Sequence, residues 1–283
     1  PVLNEARGLP AALYTSAEFF DLEQHRLFPR TWVGIAFDTD VATPGDAIPL
    51  TVCGRPLILV RDEAGDVRVL HNVCRHRATI VLEKPATGVS TFKCPYHGWV
   101  YGVDGALKAT PFWDGTADSR RCPVDASANG LVPVQSGVWN HVVFVNLDGN
   151  APALETYLAP LAAEHDHLDV AALELGHRRT WQFNANWKLV MENWEVYHHV
   201  WVHEGVFDKM SDEVNLGTGA PYTDMIADGN ILMLRATKDR PARRVNAPTS
   251  GPALPGIPTL YDRNGPVASA NAVLPNTTVS IGP

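Results

Sequence analysis

No stretch of the chain is long, apolar and uncharged enough to cross a membrane. No run approaches the roughly 18 to 20 residues that a spanning helix needs, and nothing at the amino end has the basic-then-apolar layout of a signal peptide. A cytoplasmic location is therefore expected. Cysteine is scarce, with four in 283 residues, too few for a disulfide framework in a chain of this size. Two of the four stand beside histidines, which points to metal binding instead. Positive charge is in deficit: 23 Lys plus Arg face 31 Asp plus Glu, for a net charge of −8, whereas a nucleic-acid binder would show a basic surface. There is no internal repeat and no long polar tract. What is present is a 45% hydrophobic content, enough for a sizeable core and more than one ordinary domain. The chain begins at Pro1 without a methionine and stops at Pro283, just after the strand-like run from Leu274, so a fragment of a longer protein is expected.

Patterning divides the chain. Thr15-Ser-Ala-Glu18 has the spacing of a capping box, which predicts a helix from there to about Phe28. From Trp32 to about Asn146 come short apolar runs such as Pro56–Val60 and His141–Val145, separated by turn pairs including Ala64-Gly65 and Asp104-Gly105. They predict a small all-β domain. Gly149–Pro152 reads as a linker and Leu154–Glu164 as a helix, followed by a strand over His177–Phe183. Trp187, Val190, Met191, Trp194, Tyr197 and Trp201 recur at offsets of three and four, which predicts a longer helix. Arg240–Pro266 is rich in proline and glycine without any period, the pattern of a long loop.

The strongest chemical signal lies inside the β domain. Cys74-Arg-His76 is followed, after 17 residues, by Cys94-Pro-Tyr-His97. Two thiolates and two imidazoles, one of each from either loop, form the ligand set of a Rieske-type [2Fe–2S] cluster, with the cysteines on one iron and the histidines on the other. A Cys₂His₂ zinc site uses the same residue types, but usually spaces them C-x₂₋₄-C and H-x₃₋₅-H rather than interleaving them. Cys53 and Cys122 stand apart and receive no chemical role.

Asn72-Val-Cys74-Arg-His76-Arg77 with Cys94-Pro-Tyr-His97-Gly-Trp99 resembles the cluster-binding signature of Rieske oxygenase alpha subunits and of small Rieske ferredoxins. Respiratory Rieske proteins carry an extra cysteine in each loop. Here Tyr96 occupies one such position and no second cysteine follows His76. Further along, Asn186-Trp-Lys-Leu189 and Glu192-Asn-Trp-Glu195-Val-Tyr-His198, with His203, resemble the oxygenase motif, that of the aromatic-ring-hydroxylating family.

The resemblance implies an α+β chain. An N-terminal segment (1–31) packs on the catalytic domain, an all-β Rieske domain spans 32–150, and a partial, C-terminally truncated catalytic domain spans 151–283, with a helix-grip-like antiparallel sheet and helices. It implies cofactor ligands Cys74, His76, Cys94 and His97, and a mononuclear Fe(II) on His198 and His203 with a third, carboxylate ligand beyond residue 283. Two imidazoles and a carboxylate on one face leave the iron open positions for dioxygen and substrate. On a regular helix His199 and His203 would align, whereas residues five apart lie about 140° apart. Choosing His198 therefore implies a distorted helix or one that ends near Val200.

Glu195 matches the family's bridging acid, which connects a cluster histidine of one subunit to an iron-ligand histidine of its neighbour, and Asn193 beside it is counted with the site. The plainer reading of Glu195 is a solvated helix residue. The implied activity is hydroxylation, dihydroxylation or oxidative demethylation of a small organic substrate by O2. Electrons would come from an NAD(P)H-dependent flavin reductase, directly or through a ferredoxin, and the assembly would be a homotrimer with no nucleic acid or membrane partner. Family members acting on quaternary ammonium compounds often carry glutamate at the bridging position, which favours an amine. The alternatives are aromatic-ring dihydroxylation and pure electron transfer.

Overall fold

The computed structural model describes residues 7–116, 119, 123–165, 173–192, 222–228, 231–236 and 269–281. The chain divides into two compact units, Glu23–Leu154 and Pro1–Leu22 with Glu155–Pro283.

Among its described residues, the first unit has nine strands in three antiparallel three-stranded sheets. β1 (Val33–Phe37), β8 (Gln135–Trp139) and β9 (Val142–Asn146) form one, in the order β1-β9-β8. β2 (Ala47–Val52), β3 (Arg55–Arg61) and β4 (Val67–His71) form the second, and β5 (Thr91–Lys93), β6 (Val100–Gly102) and β7 (Leu107–Ala109) the third. The apolar run expected at Pro56–Val60 is the middle strand of its sheet. Leu57 through Val60 are fully buried, so both faces are covered and the run cannot alternate with polar residues.

Turn chemistry sets the registers. Two-residue hairpin loops of type I′ have positive φ at both central positions, which matches the twist of their strands. Cys53 (φ 49°) with Gly54 (φ 72°) joins β2 to β3, and Asn140 (φ 48°) with His141 (φ 66°) joins β8 to β9. The expected turns at Ala64-Gly65 and Asp104-Gly105 are present, with Gly65 and Gly105 at φ 91° and 85°. At Gly45 a methyl group would lie 2.7 Å from the Gly88 backbone, so only glycine fits. Asn146, fully buried, donates through Nδ2 to the carbonyls of Pro29 and Thr31 and accepts at Oδ1 from the Asn150 and Ala151 N–H groups. All four of its hydrogen-bonding positions are used, and the residues flanking the domain's first and last strands are thereby stitched together.

The core that matters for chemistry joins two of these sheets. Ala47, Ile58, Val60 and Leu70 from the second sheet meet Phe92, Tyr101 and Leu107 from the third, and Cys74, Cys94 and Trp99 lie in the same cluster.

In the other unit, α1 (Ala12–Thr15) and α2 (Ala17–Leu22) are separated by extended backbone at Ser16 (ψ 123°). The expected cap is shifted by one residue. Ser16 Oγ, not the Thr15 hydroxyl, accepts the free N–H of Phe19, while Thr15 Oγ1 donates back to the Ala11 carbonyl. Helical backbone continues past Leu22 as a wide turn (Glu23–Leu27) and a tight one (Phe28–Arg30) in the β unit. The helix expected over Leu154–Glu164 is two short ones, α3 (Leu154–Tyr157) and α4 (Ala159–His165). Pro160 in the first turn of α4 has no N–H to carry a hydrogen-bond ladder across from α3.

His177–Phe183 forms no strand, a correction to the sequence reading. A strand requires a partner ladder, and none of the described strands pairs with it. Of the long helix expected from Trp187, α5 (Trp187–Glu192) is described. The remainder, and the Arg240–Pro266 loop, lie outside the described residues. Among the described residues this unit also has a four-stranded antiparallel sheet: β10 (Tyr222–Asp228), β11 (Ile231–Ala236), β12 (Ser269–Val273) and β13 (Thr277–Ile281), paired in chain order. Among the described residues no helix is long and apolar enough to cross a membrane.

Candidate metal centre

The two loops that carry Cys74 and Cys94 have the same backbone design. In the first, the Cys74 N–H donates to the Thr79 carbonyl (2.8 Å) and its carbonyl accepts from the Ala78 N–H (2.9 Å). In the second, the Cys94 N–H donates to Trp99 (2.8 Å) and its carbonyl accepts from the Gly98 N–H (3.0 Å). Each loop closes through a left-handed residue four positions after the cysteine, Ala78 at φ 56° and Gly98 at φ 74°. Inside this shared frame the histidine sits at the second position in one loop and the third in the other.

Both loops are held from behind. Asn72, 2% exposed, accepts at Oδ1 from the Val81 and Leu82 N–H groups (both 2.9 Å) and donates through Nδ2 to the Leu82 carbonyl (2.7 Å), closing the first loop at its base. The second loop lies between β5 and β6. From β6 the Tyr101 hydroxyl reaches across to the first loop, accepting from the Arg75 N–H (3.0 Å) and lying 3.2 Å from Cys74 Sγ.

The donors are arranged as two unlike pairs. Cys74 and Cys94 are each 2% exposed and lie in the same buried cluster. His76 and His97 are exposed, their ring centroids 4.7 Å apart. The His76 ring stacks on Trp99 (5.0 Å, 5° between planes), and the His97 ring packs against Tyr96 (3.7 Å). Both imidazoles line a half-open recess of about 710 Å³, whose walls include Phe112 and Trp113.

Electrostatics fit metal on both sides. Burial above all pushes the Cys94 thiol up, and the Cys74 thiol adds to this against the lowering effect of the Tyr96 and His97 N–H groups. Thiolates there need a positive charge, which iron supplies. Desolvation, then the charges of His97 and Arg77, hold the His76 imidazole below its ordinary value, which favours the neutral, lone-pair form that a metal takes. The Tyr101 phenol is raised, chiefly by burial and then by its hydrogen bond to Cys74, so it stays a donor across the physiological range.

A mononuclear zinc site takes its four ligands at one point. A thiol pair inside and an imidazole pair outside instead suit a two-iron cluster whose irons take one pair each. Of the residues singled out in the sequence, Cys74, His76, Cys94 and His97 are brought together. Asn193, Glu195, His198 and His203 lie outside the described residues. The sequence reading gave Tyr101 no role and quoted Asn72 without one. Tyr101 comes to Cys74 from a strand 27 residues away, and no local pattern reports such a contact.

Comparison with known proteins places this geometry. The Rieske [2Fe-2S] domain matches residues 31–120, and the catalytic domain of the ring-hydroxylating alpha subunit matches residues 170–283. The carnitine monooxygenase oxygenase subunit of Escherichia coli (strain K12) is 31% identical over 214 residues, covering 73% of this chain and 55% of that protein. The chlorobenzene dioxygenase subunit alpha of Cupriavidus sp. (strain PS12) is 29% identical over 219 residues, covering 75% and 48%. The chain thus spans about half the length of these relatives. A crystal structure of the quaternary ammonium Rieske monooxygenase CntA, with an inhibitor, shares the fold at a TM-score of 0.74 and 24% identity, over 98% of this chain and 68% of that one. With a Rieske domain that holds a [2Fe–2S] cluster, followed by the domain that in this family holds a mononuclear iron, the chain belongs to the Rieske non-haem iron oxygenase alpha subunits.

Proposed function

We propose that this chain is the oxygenase component of a cytoplasmic enzyme that uses O2 to hydroxylate or oxidatively demethylate a small quaternary ammonium compound. An NAD(P)H-dependent flavin reductase, directly or through a ferredoxin, provides the electrons. The supporting observation is the paired donor set: buried thiols of Cys74 and Cys94 backing the exposed imidazoles of His76 and His97. When bound, the cluster relays single electrons and the mononuclear iron uses them to activate dioxygen.

The residues divide the remaining work. Cys74 and Cys94 would anchor the cluster in the buried core, where the Tyr101 hydroxyl, 3.2 Å from Cys74 Sγ, would donate to the thiolate, and Trp99 fixes the plane of His76. In the proposed iron site, His198 and His203 are the imidazole ligands and a carboxylate beyond residue 283 is the third. Glu195, with Asn193 counted in the same site, accepts a hydrogen bond from an iron-ligand histidine and from a cluster histidine of the neighbouring subunit. Such a bond fixes the tautomers of both rings and makes a homotrimer the active form. The proposed domains are residues 32–150 for the cluster and 151–283 for the iron, with 1–31 packed on the latter.

The amine reading rests on glutamate at position 195 and on the likeness to a carnitine monooxygenase subunit. The likeness to a chlorobenzene dioxygenase subunit supports ring dihydroxylation as the second reading. Full-length protein purified without air is expected to contain about three irons and two acid-labile sulfides per chain, with a Rieske-type electron paramagnetic resonance signal on reduction. Supplied with a reductase, it is expected to oxidise betaines. Product from aromatic acids or hydrocarbons alone would replace the amine reading with the second, and zinc without sulfide would overturn both.

A further inference from the structure

Lys188 lies in α5 with 6% of its surface exposed. A buried ammonium is costly unless something replaces its water. Here three aromatic rings surround it, with Nζ 5.1 Å from the centroid of Trp187, 5.4 Å from that of Phe19 and 5.6 Å from that of Tyr14. These distances are within cation–π range, where a desolvated pair is worth most. Two of the three rings come from the α1–α2 segment, more than 165 residues away in sequence.

The same segment holds α5 at its cap and again at Glu192. At the start, Asn186 Nδ2 donates to the Tyr14 carbonyl (3.2 Å), while Asn186 Oδ1 caps the helix by accepting the Lys188 N–H (3.1 Å). Further along, the Tyr14 hydroxyl donates to Glu192 Oε1 (2.6 Å). Over the described residues of α5, these contacts with the amino-terminal helices fix its direction. Asn186, Lys188 and Glu192, spread over less than two turns, are each held by Tyr14, and Lys188 by Phe19 as well.

We propose that Tyr14, Phe19 and Lys188 are positioning residues: they form a latch by which the amino-terminal helices aim α5 and, through it, the chain that runs on to Glu195, His198 and His203. None of them touches the reacting atoms. The inference rests on the proposed iron site for its consequence, but the latch has its own observable. If it sets the direction of α5, loosening it frees the backbone that follows, with or without iron.

The test uses full-length protein and three variants. Lys188→Met removes the charge at similar bulk, Lys188→Arg keeps a cation over the rings, and Tyr14→Phe keeps the ring but loses the bond to Glu192. Acid-labile sulfide and the cluster's visible spectrum report whether the β unit is intact in each. Lys188→Met is expected to speed amide hydrogen exchange across residues 187–203 by about tenfold and to lower the third iron to less than half of wild type with sulfide unchanged. Lys188→Arg should restore both, and Tyr14→Phe should fall between. Wild-type exchange rates across 187–203 in Lys188→Met would overturn the latch, whatever the iron content. A third iron missing from wild type itself would overturn the proposed iron site instead, and the exchange data would still decide the latch.

Discussion

Tyr101 shows how much can depend on one atom of a residue that the motif does not contain. Its hydroxyl lies 3.2 Å from Cys74 Sγ inside a core from which water is excluded. A hydrogen bond to a ligating sulfur stabilises the more negative, reduced cluster and so raises its potential. Removing it in Tyr101→Phe leaves the ring in place. With the bond worth about 1.4 kcal/mol, the potential should fall by about 60 mV for this one-electron couple. Protein-film voltammetry on the reconstituted protein checks this, and an unchanged potential would show that the contact is not made around the cluster. At the same scale the four donors were legible from spacing alone, because Cys-x-His and Cys-x₂-His leave few competing readings. The backbone frame that the two loops share was not. It depends on where each backbone turns left-handed, at Ala78 and Gly98, and glycine announces such a turn whereas alanine does not.

Among the elements, strands were read best and helix boundaries worst. The buried run of β3 and the glycine turns at 65 and 105 carry local signals, and the structure has them where expected. The cap moved from Thr15 to Ser16 because either hydroxyl suits the role and backbone geometry chooses between them. His177–Phe183 reads as a strand but has no partner among the described strands, and pairing is a tertiary fact that propensity cannot supply.

The β3–β4 loop has its own electrostatic staple. Asp62, 5% exposed, accepts from the N–H groups of Ala64 and Asp66 and from the Arg68 guanidinium. The Arg68 bond, chiefly, holds its carboxyl below the usual range. A depressed carboxylate adds stability above its unfolded-state value and loses it as pH falls through the folded one. Asp62→Asn should therefore cost about 2 kcal/mol at neutral pH, and the difference should shrink as pH drops below about 4. Chemical denaturation of both proteins across that range measures it. A gap that persists at low pH would mean that the asparagine perturbs packing rather than charge.

For the whole molecule, the proposed bridge through Glu195 makes a prediction that no single subunit can fulfil. Cys74→Ser removes a cluster ligand and His198→Ala an iron ligand, so each alone should be inactive. If electrons cross between subunits, co-assembly at equal amounts should restore activity to about a quarter of wild type. Half of the intact iron sites then face an intact cluster, and intact irons occupy half of the subunits. Transfer within a subunit predicts no recovery in the mixed oligomer, a clean contrast once co-assembly is verified by differential tagging.

Cys74 and Cys94 belong to the same buried cluster as residues from two different sheets, one of them built from strands of only three residues. Bonded to a common inorganic core, the two thiolates would staple the sheets together much as a disulfide closes a loop, with binding energy converted into folding energy. The apoprotein would then be an unfinished core with two buried, undersized polar groups at its centre. Iron and sulfide supply would govern how much of this domain ripens at all, and a shortage would be felt first as proteolysis of the nascent chain rather than as slow turnover of the mature one.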